Sequence, residues 1–191
     1  MRRLIILFSI LVLNAVNTSA FADTSLKIVT NAGVVGFTVD DGWAVLNMQS
    51  KLPVATAVFQ IPNVADKQTS DSTNLILKFY DLNTEAGRAA YDAPVKQFGS
   101  SAPKEEIFGP WTLFRQEALQ GTTRYTILDA RRGSLADVSA TARIAWPHLK
   151  NNAKKYDAQI EGRFRSFLNS VHGELGLYKP QQNEVMRRPV E

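Results

Sequence analysis

Residues suited to metal binding are few in this chain of 191 residues, which contains two histidines and no cysteine. His148 follows Trp146-Pro147 in a predicted loop, and His172 stands at the predicted end of a helix. A zinc site usually needs about three or four converging nitrogen, sulfur or oxygen ligands. No acidic cluster lies at ligand spacing to complete such a set. We therefore expect no metal and no cofactor, and interpret both histidines as surface or capping residues.

Carboxylates that could act in acid–base catalysis occur as two adjacent pairs, Asp40-Asp41 and Glu105-Glu106. Neighbouring side chains in a strand or turn point apart, so neither pair suits an acid and a base facing each other across a cleft. The chain also lacks a G-x-S-x-G elbow, a phosphate-binding glycine loop and a dinucleotide fingerprint. We predict no catalytic residue and expect a protein that is not an enzyme. A hydrolase with a cryptic Ser-His-Asp triad stays open as an alternative, because geometry rather than sequence order defines such triads.

Trp43 is the residue that we consider as a contact with a partner. It follows the turn-forming pair Asp41-Gly42, on the side of a predicted hairpin opposite its apolar residues. If exposed there, it would be a candidate anchor for a protein, because tryptophan is enriched at binding hot spots. We favour the other interpretation, a tryptophan covered by a helix, because a sheet with helices on both faces needs apolar residues on both.

The segment RFRSFLNSV, residues 163–171, interleaves arginine with phenylalanine, as some nucleic-acid-binding surfaces do. On a helical wheel Phe164, Phe167 and Val171 share one apolar face, and the two arginines fall at its edges. The pattern therefore predicts a helix that is anchored to a sheet by its aromatic side chains. We expect no binding of nucleic acid through this segment.

Residues 1–22 have the three-part layout of a secretory signal peptide. Arg2-Arg3 precedes an apolar run over 4–16, and the segment ends in Ala20-Phe21-Ala22. The apolar run is shorter than the roughly 20 residues of a membrane span, so we predict cleavage after residue 22 and no membrane insertion afterwards. Loss of the two arginines would lower the basic residues from 22 to 20, against 18 acidic ones. That small excess does not indicate nucleic acid, and we expect general secretion to the periplasm or the exterior.

The remaining pattern predicts a single α+β domain over residues 23–174 and a disordered tail over 175–191. A short helix is predicted after Asn83 or Thr84, either of which could cap it, and a long amphipathic helix over 152–171. Residues 63–73 and 99–110 are predicted to be long connections. The runs typical of strands cover residues 26–30, 34–48 as a hairpin, 54–61, 74–81, 111–119, 122–131 and 138–146.

Two hairpins are predicted with a definite register. Asp41-Gly42 favours a two-residue turn, and Gln120-Gly121 is a weaker turn signal. The first turn would place apolar side chains on one face, and the second would bring opposite charges together. The predicted pairs are Val39 with Ala44, Phe37 with Leu46 and Val35 with Met48 in the first hairpin, and Glu117 with Arg124 and Leu113 with Leu128 in the second.

This order of elements, with a D-G-W turn, a strand ending in ARIAWP and a final helix ending in FRSFLNSV, resembles the PsbP-like superfamily. The resemblance covers most of residues 33–172 and rests on Trp43 at the turn and on Phe164, Phe167 and Val171 in the closing helix. It implies a PsbP-like α/β/α sandwich, an antiparallel sheet of about six or seven strands flanked by helices. Members mostly bind or assist other proteins and share no catalytic residues, so the resemblance transfers no site residue.

The combined pattern predicts an exported, non-catalytic accessory or protein-binding domain that acts in the periplasm. A narrower version is an immunity protein that neutralises a secreted toxin. The alternatives from other classes are the hydrolase with a cryptic triad and a carrier of a small molecule or lipid in a pocket between sheet and helix.

Overall fold

A computed structural model describes residues 23–30, 33–40, 42–61, 73–135, 138–148 and 153–174. The predicted signal peptide, the predicted tail and all but one residue of the predicted loop at 63–73 lie outside these described residues. The described part contains ten strands and two helices. In chain order they are β1 (Thr24–Thr30), β2 (Gly33–Val39), β3 (Ala44–Gln49), β4 (Val54–Ile61), β5 (Thr73–Asp81), α1 (Glu85–Asp92), β6 (Lys104–Phe108), β7 (Trp111–Gln120), β8 (Thr123–Leu135), β9 (Val138–Pro147), α2 (Ala153–Ser170) and β10 (His172–Glu174).

The strands form two antiparallel sheets. The larger sheet has seven strands in the order β3-β4-β5-β9-β8-β7-β6, and the smaller has three in the order β1-β2-β10. The α+β class and the seven-stranded antiparallel sheet are therefore confirmed. The second sheet was not predicted, because β10 consists of three residues at the point where His172-Gly173 reads as the end of a helix.

Alternate residues of the larger sheet and one face of α2 form a common hydrophobic core. In β4, every second residue from Ala55 to Ile61 is buried, and the residues between them are partly exposed. In α2, Tyr156, Ile160, Phe164 and Leu168 are at most 1% exposed. This arrangement confirms that the aromatic residues of the last helix anchor it to the sheet.

Two tryptophans also fix α2 to the sheet through polar contacts. The Nε1–H of Trp111 donates to the carbonyl oxygen of Leu168 at 3.1 Å. The Nε1–H of Trp146 donates to the Asp157 carboxylate at 2.8 Å. Both indoles are therefore buried in the core with their polar atom satisfied, as a buried tryptophan requires.

The other face of the larger sheet is covered by α1 and the segment that follows it. Thr84 caps α1, since its hydroxyl accepts the N–H of Gly87 at 3.0 Å. The helix ends before Ala93, whose backbone is extended with ψ 134°, because a residue that precedes proline disfavours the helical conformation. Helices thus lie on both faces of the sheet, as expected.

The hairpin predicted over residues 34–48 is wrong. β2 pairs with β1 and β10 in the smaller sheet, whereas β3 pairs with β4 in the larger one. The predicted inner residues of β2 are buried, but their supposed partners in β3 are exposed. Alternation identifies the buried side of β2, whereas contacts distant in sequence decide which strand it pairs with.

The second predicted hairpin exists as β7 and β8, but its register is shifted by two residues. Gln120 pairs with Thr123, so the loop is Gly121-Thr122, and Gly121 has φ +60°. Glycine adopts this left-handed conformation without steric strain. A shift by two keeps every side chain on its predicted face. The changed pairs are Glu117 with Thr126 and Leu113 with Ala130.

The connection predicted over residues 99–110 contains a strand, β6. The residues from Lys104 to Ile107 are exposed. The strand sequence KEEIF therefore has no buried face, and its residues do not alternate between apolar and polar. Gly109, with φ +55°, forms the turn that leads into β7. β6 was missed because it pairs along an edge of the sheet and contributes little to the core.

Candidate functional site

β3 is an edge strand of the larger sheet and is exposed along its whole length. Among the described strands it pairs with β4 alone, so one row of its backbone N–H and C=O groups faces outward. Its sequence, AVLNMQ, carries no charge. Val45, Leu46 and Met48 are 48%, 54% and 41% exposed. The strand therefore offers both unpaired backbone groups and apolar side chains.

The opposite edge of the same sheet is built differently. β6 has five residues, and Lys104, Glu105 and Glu106 are charged. Ile107 is exposed there as a single apolar side chain next to these charges. Short length and charged side chains are features by which proteins keep an edge strand from pairing with other chains. The chain protects the β6 edge in this way and leaves the β3 edge without charges.

A bulge interrupts the pairing of β3 with β4 between Val45 and Asn47. Val45 lies opposite Phe59, and Met48 lies opposite Ala57. Both partners in β4 belong to the hydrophobic core, and side chains of paired residues lie on the same face of a sheet. The apolar face of the sheet thus continues from β4 onto β3, where Val45 and Met48 are exposed.

Trp43 holds the turn that leads into β3. Its backbone N–H donates to the carbonyl oxygen of Asp40 at 3.2 Å. Its ring centroid lies 5.9 Å from that of Phe167 and 6.3 Å from that of Phe59. The side chain is 8% exposed, and its Nε1 has no hydrogen-bond partner among the described residues. Trp43 was a candidate partner contact only if exposed. The structure instead places it in the hydrophobic core, in agreement with the interpretation that we favoured.

An ion pair ties the same turn to α2. The Nε of Arg163 lies 3.6 Å from the Asp40 carboxylate, and both side chains are about one-third exposed. Burial raises the pKa of Asp40 above its ordinary value of 3.8, and the positive charge of Arg163 opposes that rise. The start of β3 is therefore fixed by an aromatic cluster on one side and by a partly exposed ion pair on the other.

The side-chain partner of His148 among the described residues is not a nucleophile that a substrate could reach. The Nε2 of His148 lies 2.7 Å from the hydroxyl of Thr126, a residue that is 2% exposed. The Nδ1 of His172 lies 2.7 Å from the carbonyl oxygen of Ser170. A nucleophile must be accessible as well as hydrogen-bonded to its base, and the buried threonine is not. In the part of the chain that the structure describes, no group of three or more His, Cys, Asp or Glu side chains could hold a metal ion.

Neither α1 nor α2, the helices of the described residues, is long and apolar enough to cross a membrane.

No protein-family model matches the chain, and its sequence matches no curated protein. Among solved structures, the chain is similar to the Ran-binding protein Mog1p of Saccharomyces cerevisiae, with 10% identity and a TM-score of 0.48, over 80% of this chain and 96% of that one. It is also similar to LpqN of Mycobacterium tuberculosis, a protein involved in cell envelope biogenesis. That similarity has 9% identity and a TM-score of 0.44, over 80% of this chain and 92% of the other. Similarities of this size transfer no function, and the PsbP-like resemblance stays a prediction.

Proposed function

We propose that the chain is an exported, non-catalytic binding domain and that its β3 edge binds an extended segment of a partner protein as an added strand. The observation that carries the proposal is an uncharged edge strand that is exposed along its whole length and carries three apolar side chains. Export rests on the signal peptide predicted at residues 1–22. The opposite edge of the same sheet, strand β6, carries charged side chains, whereas β3 carries none.

The chemistry of β3 defines the segment that would fit it. An added strand would satisfy the outward backbone groups of β3, and these hydrogen bonds supply affinity without requiring a particular sequence. Side chains at every second position of the partner would lie on the face of Val45 and Met48. Since β3 carries no charge, the partner segment should be apolar at those positions and should need no charged residue.

Substitution of Met48 by lysine tests the proposal. The side chain is 41% exposed, so Met48→Lys leaves folding nearly unchanged while it places a charge against the added strand. Ile107→Lys on the β6 edge is the matched control, because Ile107 is also an exposed apolar residue of an edge strand. The full chain with each substitution is used to capture partners from an envelope extract.

The proposal predicts a partner that is retained by the wild type and by Ile107→Lys and is lost with Met48→Lys. Equal retention by all three chains would overturn it. Size-exclusion chromatography of the purified chain tests whether the β3 edge pairs with a second copy of this chain instead. Such pairing gives a dimer, and Met48→Lys should convert that dimer to a monomer. A dimer of that kind would replace the foreign partner in the proposal.

The narrower role as an immunity protein remains a special case of this proposal. The described residues carry no feature that singles out a toxin as the partner, so we propose the wider role. Growth of cells that express a secreted toxin encoded beside this gene, with and without the chain, tests the special case. Protection that Met48→Lys abolishes would support it, and unchanged killing would contradict it.

A further inference from the structure

We infer that the sheet face under α1 carries a binding site for a small organic anion, a ligand that bears a carboxylate or a phosphate group. A cleft of about 230 Å³ lies between this face and the segment formed by α1 and the residues after it. Ligand pockets for drug-sized molecules usually measure about 300–1,000 Å³, so the cleft suits a small molecule. The inference does not depend on the β3 edge, which lies on other elements.

Basic side chains outnumber acidic ones in the lining of the cleft. Four cations and one carboxylate line it, which gives a formal charge of +3. Such a concentration of one sign in a concave site attracts ligands of the opposite sign. The charged lining residues are Lys78, Lys96, Arg131, Arg143 and Asp129.

Arg143 is the residue best placed to receive the anionic group. Its Nε donates to the Oδ1 of Asp129 at 2.6 Å, and its guanidinium carbon lies 4.9 Å from the ring centroid of Phe98. Within the described part of the chain, its two Nη groups have no hydrogen-bond partner. An arginine held by its Nε can still donate two parallel hydrogen bonds to a carboxylate or a phosphate.

Lys78 and Lys96 supply further positive charge at the cleft. Both residues are exposed, and neither ammonium forms an ion pair with a carboxylate of the described residues. Arg131 has a different task, since its Nη2 donates to the carbonyl oxygen of Ala93 at 2.6 Å and its guanidinium lies 5.4 Å from the Tyr91 ring. Arg131 therefore holds the wall. The Nζ of Lys96 lies 5.0 Å from the ring centroid of Phe98, a contact that leaves its ammonium able to approach an anion, as does the exposure of Lys78.

The segment that closes the cleft is fastened to the sheet by Gln116, which is 5% exposed. Its Nε2 donates to the carbonyl oxygen of Lys96, and its Oε1 accepts the N–H of Phe98, each at 2.9 Å. The rings of Tyr80 and Tyr91 meet edge to face at 5.7 Å in the wall. These contacts fix the cleft in the folded chain, so that a ligand meets a preformed site with an aromatic wall for its organic part.

Titration of the ¹⁵N-labelled full chain by NMR tests the inference with three probes. Benzoate carries a carboxylate, phenyl phosphate carries a phosphate, and benzamide is the neutral analogue. We expect saturable shifts of amides in residues 76–80, 129–131 and 141–143 with an anionic probe. The double variant Lys78→Gln/Lys96→Gln, which removes exposed charges, should weaken that binding by about tenfold. Lys51→Gln, an exposed lysine outside the cleft lining, is the matched control and should leave it unchanged.

The two anionic probes distinguish the chemistry of the natural ligand. Tighter binding of benzoate indicates a carboxylate, and tighter binding of phenyl phosphate indicates a phosphate monoester, and both results support the site. Equal binding of benzamide would overturn the inference. Shifts that do not saturate, or an affinity that is unchanged in the double lysine variant, would also overturn it.

Discussion

Replacement of Phe164 by alanine should destabilise the protein far more than replacement of its neighbour Arg163. Phe164 is 0% exposed and lies in the core between α2 and the larger sheet. Truncation of a fully buried phenylalanine removes its burial and leaves a cavity, so the free energy of unfolding should fall by about 3–5 kcal/mol. Arg163 forms its ion pair with Asp40 where both side chains are about one-third exposed, and Arg163→Ala should cost less than about 1 kcal/mol.

Urea denaturation of both variants, followed by tryptophan fluorescence, measures the difference. The two positions are adjacent in one helix and both become alanine, so helix propensity contributes little to the comparison. The dependence of the unfolding free energy on urea should stay the same, because neither change alters how much surface unfolds. Equal losses of stability, or a larger loss for Arg163→Ala, would refute the assignment of the aromatic face to the core.

Three further changes test the contacts around the sheet. Burial acts to raise the pKa of Glu161, but the hydrogen bonds and positive charges of Arg115 and Arg165 together hold it below its ordinary 4.5. The stability that these contacts provide is present above pH 4.5 and is lost as the pH falls through the lowered pKa. Arg165→Ala should therefore flatten the acid limb of a stability–pH curve. Trp111→Phe removes the indole donor to the carbonyl oxygen of Leu168, which keeps only the bond from the N–H of Val171 at 3.3 Å, and should cost about 0.5–1.5 kcal/mol in urea denaturation, where an unchanged midpoint would contradict the contact. Thr84→Ala removes the N-cap of α1 and should cost about 1 kcal/mol by the same measurement, whereas Thr84→Ser should restore most of it.

Strong local patterns predicted much of the fold. In α2, apolar residues at helical spacing specify which face is buried, and buried and partly exposed residues alternate in β9 from Ala140 to Trp146. Pairing was harder to predict, because β2 and β3 each carry a local pattern that suits a hairpin. Their separation into two sheets depends on contacts with β1, β4 and β10 that no short segment contains.

The candidate sites were less accessible to sequence reasoning than the fold. The apolar residues of β3 have the pattern of a half-buried strand, and their exposure follows from the position of β3 at the end of the sheet. The absence of charge in β3 is the signal that could have marked it as an unprotected edge. The cleft residues are spread over β5, α1, the segment after α1, β7, β8 and β9, and no spacing in the chain brings them together.

A photo-activated cross-linking residue at position 46 tests the binding role of β3 most directly. Leu46 is 54% exposed in the bulge of the edge strand, so a residue there should react with a strand added to β3. Irradiation of cells that export the full chain should give a covalent adduct with a second protein at position 46 and no such adduct at position 107 on the β6 edge. No adduct at position 46, or the same adducts at both positions, would contradict the account.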